Sequence, residues 1–144
     1  MILAAWILQA AAGLQETAHL QLKPSTRVAA GGKVTLQLDV TPKPKMHVYA
    51  PGQEGYIAIQ LTLTANPAFT AAKAKYPAGE KIVMPAINET QLVYAKPFRI
   101  TQDVTLKPSA GPVTIKGVIR YQACDDTICY LPKTVPVEWV VKYE

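Results

Sequence analysis

The chain has 144 residues, the length of one domain that can bury a core without relying on metals or disulfides. Its formal charge of +5 comes from basic residues spread along the chain without a cluster, which disfavours nucleic-acid binding. The 12 prolines and 8 glycines separate short stretches rich in Val, Ile, Leu, Thr and Tyr, so a helical bundle is disfavoured and an all-β domain is predicted.

Residues 1–14 form an apolar run without charged side chains, typical of the hydrophobic region and cleavage zone of a secretory signal. The run is too short to span a membrane. It lacks a preceding Lys or Arg, so a truncated signal and an ordered helix packed on the domain are both open interpretations. We expect export, because a local cysteine pair suits an oxidising compartment. The folded domain is expected to span residues 15–144.

Seven or eight strands are expected in the rest of the chain. The clearest covers residues 33–40, where Val34, Leu36, Leu38 and Val40 alternate with polar residues and share one face. A turn region is predicted around residues 24–32. The other extended segments are 17–22, 43–51, 56–64, 68–75, 92–106 with a break near Pro97, 113–123 and 134–143. This spacing predicts an immunoglobulin-like β-sandwich, although the distant Cys…Trp…Cys signature is absent.

One segment breaks the alternation. Residues 81–90 contain Met84, Pro85 and Asn88 without a regular period, so they are predicted to form a loop with a few exposed apolar side chains.

The two cysteines of the chain, Cys124 and Cys129, lie close together in sequence between two strand-like segments. A disulfide that closes so short a loop stabilises a fold by about 2 kcal/mol, against nearly 5 for a loop of about a hundred residues. Cysteines selected for stability would more usefully join distant strands. Their placement at a hairpin tip, within reach of a partner, therefore favours reversible redox chemistry, with a purely structural bond as the alternative.

The neighbours of the cysteines suggest how that chemistry is controlled. Asp125 and Asp126 place negative charge beside Cys124, which disfavours its thiolate, and aspartate also favours turns. Tyr121 and Tyr130 bracket the hairpin, where they could shield the sulfurs and offer a docking surface or simply pack in strands.

Other kinds of site have little support. The histidines His19 and His47 show no metal-binding spacing, and only a copper site that combined Met46 with the thiols would remain as a metal alternative. The chain has no serine-hydrolase motif and no glycine-rich phosphate loop. No metal and no cofactor are predicted.

The run Tyr121-Gln-Ala-Cys-Asp-Asp followed by Cys129-Tyr-Leu-Pro132, together with Met46-His-Val-Tyr-Ala-Pro51, resembles a known family. It is similar to the N-terminal periplasmic domain of the DsbD thiol:disulfide interchange family, over residues 17–143. The resemblance implies an immunoglobulin-like domain of the periplasm that accepts electrons from a thioredoxin-like donor domain. It further implies delivery to periplasmic disulfide isomerases or cytochrome c maturation thioredoxins, and attachment to an inner-membrane protein in the full-length context.

The resemblance also implies roles for individual residues. Cys129 would form mixed disulfides with partners, and Cys124 would resolve them. His47 and Tyr49 match strand positions that line the site. Residues 83–88 match a cap loop over the sulfurs, here called the cap segment.

The chain departs from the family in three respects. Its cap segment lacks the usual aromatic residue, so Met84 or Ile87 beside Pro85 would substitute for it. Its cysteine spacing differs from that of some members. It contains no membrane segment and no thioredoxin domain, so the donor would lie on another polypeptide or on a part outside this chain.

Two other functions remain open from the sequence. One is an extracytoplasmic binding module whose disulfide is structural, which should be harder to reduce than a relay disulfide. The other is a copper-handling domain, in which metal binding would depend on reduced thiols.

Overall fold

The computed structural model describes residues 13–84 and 87–144, so the signal-like segment 1–14 lies almost entirely outside the described residues. The all-β prediction is confirmed, because the regular elements of the described chain are strands that pair antiparallel. Their bounds are β1 Gln15–Glu16, β2 Leu20–Ala29, β3 Lys33–Pro42, β4 His47–Tyr49, β5 Gln60–Leu63, β6 Phe69–Ala71, β7 Glu80–Met84, β8 Glu89–Tyr94, β9 Phe98–Leu106, β10 Pro112–Tyr121, β11 Ala123–Cys124 and β12 Lys133–Lys142.

Two sheets enclose the main core. The larger has the order β1-β2-β3-β9-β6, and the smaller has the order β12-β10-β5. The alternating residues of β3 are buried as the sequence predicts, and they share one core cluster with Ile115, Ile119 and Trp139 of the smaller sheet. The indole Nε1 of Trp139 donates to the carbonyl oxygen of Gln37 at 3.0 Å and ties the sheets together. The predicted immunoglobulin-like sandwich is confirmed.

A third sheet, in the order β11-β4-β8-β7, carries the cysteines. Strand β4 pairs on one side with β11, where Cys124 lies opposite His47, and on the other side with β8. Residues directly opposite each other in an antiparallel pair point to the same face of the sheet. This pairing therefore brings the side chains of the short β4 strand to the disulfide.

The turn predicted around residues 24–32 is wrong over most of its length. Strand β2 continues through Pro24 to Ala29 and pairs with β3 throughout. Within the described chain β1 pairs with β2 only at residues 21 and 22, so Pro24 lies on a free outer edge, where a sheet tolerates proline. The turn itself is confined to residues 30–32, between β2 and β3, where Gly31 and Gly32 have φ angles of 82° and 77°. A Cβ on Gly32 would lie 2.5 Å from the carbonyl oxygen of Leu106.

The loop predicted for residues 81–90 is also wrong for most of those positions. Residues 80–84 form β7 and pair with β8, with Met84 opposite Glu89, so the two strands form a hairpin, and Val83 and Met84 of the cap segment belong to β7. The period of two is present, since Ile82 and Met84 are half-buried while Lys81 and Val83 are exposed. It was hidden in the sequence because the outward position 83 carries an apolar residue. Pro85 lies outside the described residues.

None of the helical structure in the described part of the chain is long and apolar enough to cross a membrane.

Candidate redox site

Cys124 and Cys129 form a disulfide, with their Cα atoms 4.0 Å apart, at the hairpin that follows β11. The expected proximity of the two cysteines is confirmed. Their exposure differs sharply: Cys124 is 2% exposed and belongs to a buried cluster with Tyr49 and Val93, whereas Cys129 is exposed. A thiolate on another protein can therefore reach the sulfur of Cys129 far more easily than that of Cys124.

Asp125 shapes the turn between the cysteines. Its Oδ1 accepts hydrogen bonds from the backbone N–H groups of Thr127 and Ile128, both at 2.8 Å, and from the Thr127 hydroxyl at 3.0 Å. Its Oδ2 accepts from the hydroxyl of Tyr130 at 2.8 Å. The backbone donors of Ile128 and Thr127, followed by the Tyr130 hydroxyl, hold the pKa of Asp125 well below its usual range.

The low pKa of Asp125 predicts a pH-dependent contribution to stability. A carboxyl whose pKa is depressed by folding stabilises the native state above its unfolded pKa of about 4, and this contribution is lost as the pH falls through the folded pKa. We expect Asp125→Ala to lower the free energy of unfolding at neutral pH. Asp125→Asn, which keeps an acceptor oxygen, should lower it less.

Urea unfolding across a pH series checks this expectation. The difference between wild type and Asp125→Ala should shrink as the pH falls below about 4. A difference that stays constant from neutral to acid pH would show that the charge of Asp125 does not stabilise the turn.

Tyr49 lies beneath the disulfide. Its hydroxyl oxygen is 3.2 Å from the sulfur of Cys124 and 3.4 Å from that of Cys129. Because disulfide sulfurs carry no hydrogen, the tyrosine hydroxyl is the donor. The ring of Tyr49 stacks on that of Tyr56 at 4.3 Å, and burial is the main cause that raises the pKa of Tyr49 to about 12. The hydroxyl therefore remains a neutral donor at physiological pH.

A groove of about 430 Å³ opens beside the sulfurs. The cysteine hairpin forms one wall, Val83, Met84 and Ile87 of the β7–β8 hairpin line another part, and further lining comes from three polar side chains, His47, Tyr56 and Gln91. The groove thus offers a recess that is both apolar and hydrogen-bonding next to the disulfide.

His47 is 5% exposed, and within the described chain its Nε2 has no hydrogen-bond partner. Burial lowers the pKa of His47, and the nearby carboxylates of Asp126 and Asp125 partly oppose this effect. Its ring also meets that of Tyr49 edge-on, with centroids 6.2 Å apart. Burial therefore favours the neutral imidazole, and the side chain lines the same groove as both cysteines.

The structure brings most of the sequence-predicted site residues together. His47, Met84, Ile87 and Asp125 line the groove, and Tyr49 contacts the sulfurs. Tyr130 is connected to the site by the hydrogen bond that its hydroxyl donates to Asp125.

Tyr121 does not lie at the groove. It is fully buried in the main core, and its hydroxyl is 3.2 Å from that of Thr17 and 3.3 Å from Nδ1 of His19. Packing therefore accounts for this aromatic side chain, although it is close to the cysteines in sequence.

Sequence reasoning missed other residues of the groove. Tyr56 and Gln91 come from separate parts of the chain, and Tyr56 donates to Glu89 at 3.2 Å. No local motif marks these residues, since Tyr56 lies in the bend between β4 and β5 and Gln91 lies on β8. Ile128 was also missed, although an exposed apolar residue beside the cysteines is a signal that could have found it, whereas Val83 lies within the predicted cap segment.

In the described part of the chain, no group of three or more His, Cys, Asp or Glu side chains is arranged to hold a metal ion.

The buried and exposed cysteines, the tyrosine beneath them and the open groove match a redox site at the end of a β-sandwich. A family model described as "Thiol:disulfide interchange protein DsbD, N-terminal" matches residues 16–139. The chain belongs to this family. It is accordingly a thiol:disulfide interchange domain, and its two cysteines, Cys124 and Cys129, form a disulfide.

Two solved bacterial structures are similar to the chain, and the first of them supports the fold. The N-terminal periplasmic domain of ScsB from Proteus mirabilis aligns over 88% of this chain and 49% of its own, with 16% identity and a TM-score of 0.65. The chain thus spans about half of that ScsB chain. The N-terminal domain of DsbD from Neisseria meningitidis, in the reduced form, aligns over 83% of each chain at 18% identity and a TM-score of 0.48.

A eukaryotic structure shares the architecture as well. The GAE domain of GGA2p from Saccharomyces cerevisiae aligns over 91% of this chain and 96% of its own, at 8% identity and a TM-score of 0.55. Because a fold does not determine a function, this likeness concerns the sandwich alone. No curated protein resembles the chain in sequence strongly enough to be counted as a relative.

The disulfide is expected to contribute little to stability. Replacing both cysteines by alanine should leave a folded β domain that has lost about 2 kcal/mol of unfolding free energy, because the closed loop is short. Urea unfolding of the double variant and the wild type checks this. Global unfolding of the variant in buffer, where the wild type is fully folded, would identify the bond as a structural staple.

Proposed function

We propose that this domain is the protein-disulfide reductase component of a periplasmic electron relay. It accepts electrons from a thioredoxin-like donor and delivers them to a periplasmic disulfide isomerase or a cytochrome c maturation thioredoxin. The observation that carries this proposal is the unequal exposure of the cysteines, since Cys129 is exposed and Cys124 is 2% exposed. The periplasmic location is supported by family membership and by the periplasmic ScsB domain that shares the fold.

The unequal exposure supports a different role for each sulfur in the two half-reactions. In loading, a donor thiolate attacks the sulfur of Cys129, the Cys124–Cys129 bond breaks, and its electron pair leaves on Cys124, which takes up a proton. A second donor thiolate then releases the reduced domain and leaves the donor as a disulfide. In delivery, the thiolate of Cys129 attacks the acceptor disulfide, and Cys124 resolves the mixed disulfide.

An apolar rim around the groove suits a thioredoxin-like partner. Val83, Ile87 and Ile128 line the groove and are 65%, 57% and 54% exposed. Leu131, two residues after Cys129, is 81% exposed. Exposed large apolar side chains that cluster near a reactive group are typical of protein interaction sites. Their grouping on the cysteine hairpin and on the facing β7–β8 hairpin supports transfer between proteins.

The cap segment is proposed to cover the groove and to open for partners. Met84 and Ile87 line the groove, and lids are drawn from weakly packed segments that open at modest cost. We expect Met84→Gly combined with Ile87→Gly to speed the reaction of reduced protein with a small disulfide about 10-fold. Complete burial of one apolar side chain contributes about 1.5–3 kcal/mol. Losing part of this contribution at both positions is enough for a roughly 10-fold change in rate.

Stopped-flow measurement of that reaction checks the cap prediction. Val140→Gly, at an exposed strand position remote from the groove, is the matched control and should react at the wild-type rate. An unchanged rate in the folded double variant would mean that the cap segment does not guard the sulfurs.

Transfer between proteins is the experiment that tests the proposed function. The oxidised domain is mixed with a reduced thioredoxin-like protein, and the free thiols of each protein are counted by mass after alkylation. We expect two thiols to appear on the domain as two disappear from the donor, followed by passage to an oxidised disulfide isomerase.

The variant with both cysteines replaced by alanine serves as the control and should take up no electrons. A wild-type disulfide that stays oxidised in the presence of excess reduced donor would refute the relay. It would favour the alternative of a binding module with a structural bond.

A further inference from the structure

His47 has an arrangement that packing alone does not require. It is the residue directly opposite Cys124 in the β4–β11 pair, so the two side chains point to the same face of the sheet. Both side chains line the same groove, and the Nε2 atom of His47 is buried without a hydrogen-bond partner in the described chain. A buried polar atom of this kind calls for an explanation, and a role in the chemistry is one.

Cys124 faces a chemical difficulty during delivery. To resolve the mixed disulfide on Cys129, it must react as a thiolate. Burial and neighbouring carboxylates both disfavour a thiolate, and Cys124 is 2% exposed and followed directly by Asp125 and Asp126. The thiol proton of Cys124 therefore needs an acceptor close by.

We propose that His47 is the general base that takes this proton. The assignment rests on the proposed relay function, because it concerns the resolving step of that relay. The thiol proton of Cys124 passes to the imidazole, and the resulting thiolate attacks the sulfur of Cys129. The bond between Cys129 and the acceptor cysteine breaks, and its electron pair leaves on the acceptor sulfur. The imidazolium then returns its proton to that thiolate or to water.

The other titratable groups of the groove are poorly suited to this task. Tyr49, with a pKa raised to about 12 mainly by burial, is a donor at neutral pH. Tyr56 is also protonated there, since burial and its bond to Glu89 raise its pKa. Asp125 is engaged by four donors, and carboxylates are in general weaker bases than imidazole by more than two pKa units.

The charges that face His47 suit a base that works near neutral pH. Burial keeps the imidazole neutral and able to accept a proton, while the carboxylates of Asp126 and Asp125 stabilise the imidazolium once it forms. In the loading direction the same imidazolium would protonate the sulfur of Cys124 as the disulfide breaks.

A chromogenic aromatic disulfide, dithionitrobenzoate, separates the two sulfur reactions. Attack by Cys129 of the reduced protein releases a first equivalent of thionitrobenzoate, and resolution by Cys124 releases a second. We expect His47→Asn to slow the second release about 100-fold near pH 7, at the lower end of the range for general acid–base catalysis, and to leave the first release unchanged. At about pH 10 hydroxide deprotonates the thiol, so the two proteins should react at similar rates.

His19→Asn is the matched control, since His19 is also buried but lies outside the groove, and it should leave the second release unchanged. In His47→Ala, added imidazole should restore the second release in proportion to the concentration of neutral imidazole.

A wild-type rate for folded His47→Asn would overturn the assignment. So would a slow rate that persists at about pH 10, because it would indicate a structural role. Failure of the wild type to exchange with a thioredoxin-like protein would refute the relay, and the two-phase reaction would still report on His47.

Discussion

Cys124→Ser is expected to trap a stable covalent complex with a thioredoxin-like partner, whereas Cys129→Ser is expected to form none. Serine cannot resolve a mixed disulfide, so a partner that has bonded to the exposed Cys129 stays attached. In the second variant the remaining thiol is on Cys124, which is 2% exposed and out of reach of a partner. The yield of trapped complex should be more than about 100 times greater for Cys124→Ser than for Cys129→Ser, since only the first variant presents an accessible thiolate.

Non-reducing electrophoresis and mass spectrometry of the mixtures provide the measurement. The partner carries one active cysteine, activated beforehand as its mixed disulfide with thionitrobenzoate, so attack by the Cys129 thiolate breaks that bond and releases thionitrobenzoate. The variant that lacks both cysteines reports any non-specific coupling. Equal trapping by Cys124→Ser and Cys129→Ser would contradict the roles assigned from the exposure of the two sulfurs.

Tyr49→Phe is expected to slow the attack of a thiol on the oxidised domain by about 10- to 100-fold. In the wild type the leaving sulfur of Cys124 develops negative charge 3.2 Å from the Tyr49 hydroxyl, which can donate to it. A hydrogen bond to a charged group contributes about 1.5–3 kcal/mol, which corresponds to that range of rates. Because the pKa of Tyr49 is raised to about 12, the effect should persist across the neutral range.

The matched control is Tyr56→Phe, which preserves the stacked ring pair and removes a hydroxyl that donates to Glu89 instead of the sulfurs. Stopped-flow reduction by dithiothreitol measures both variants. An equal loss of rate in the two, or no loss in Tyr49→Phe, would show that the hydroxyl beneath the disulfide does not assist the leaving sulfur.

The parts of the fold that depend on local pattern could be predicted from the sequence. The alternation of residues 33–40 indicates a half-buried strand, and β3 has that form with its apolar face in the core. The cysteines are neighbours in sequence, so their disulfide at a hairpin required no knowledge of the rest of the chain.

The errors arise where tertiary context overrides a local signal. Pro24 suggested a turn, yet it lies on a free edge of β2, where its missing N–H costs nothing. Val83 obscured the alternation of β7 because an outward position at the groove is apolar.

The candidate site could be predicted only in part from the sequence, for a related reason. His47 and Tyr49 are more than seventy residues from Cys124 in the chain, and only the family resemblance pointed to them. Tyr56 lies in the loop between β4 and β5 and Gln91 lies on β8, and no periodicity in the sequence specifies that both line the groove. Tyr121 is near in sequence but points into the core.

The reduction potential of the Cys124–Cys129 couple tests the central claim most directly. It is measured by equilibrating the domain with defined ratios of reduced and oxidised dithiothreitol or glutathione and counting its thiols by mass. A relay that exchanges electrons with thioredoxin-like proteins requires a potential well above about −300 mV, near those of its partners. A potential below about −300 mV would identify a structural disulfide and contradict the relay.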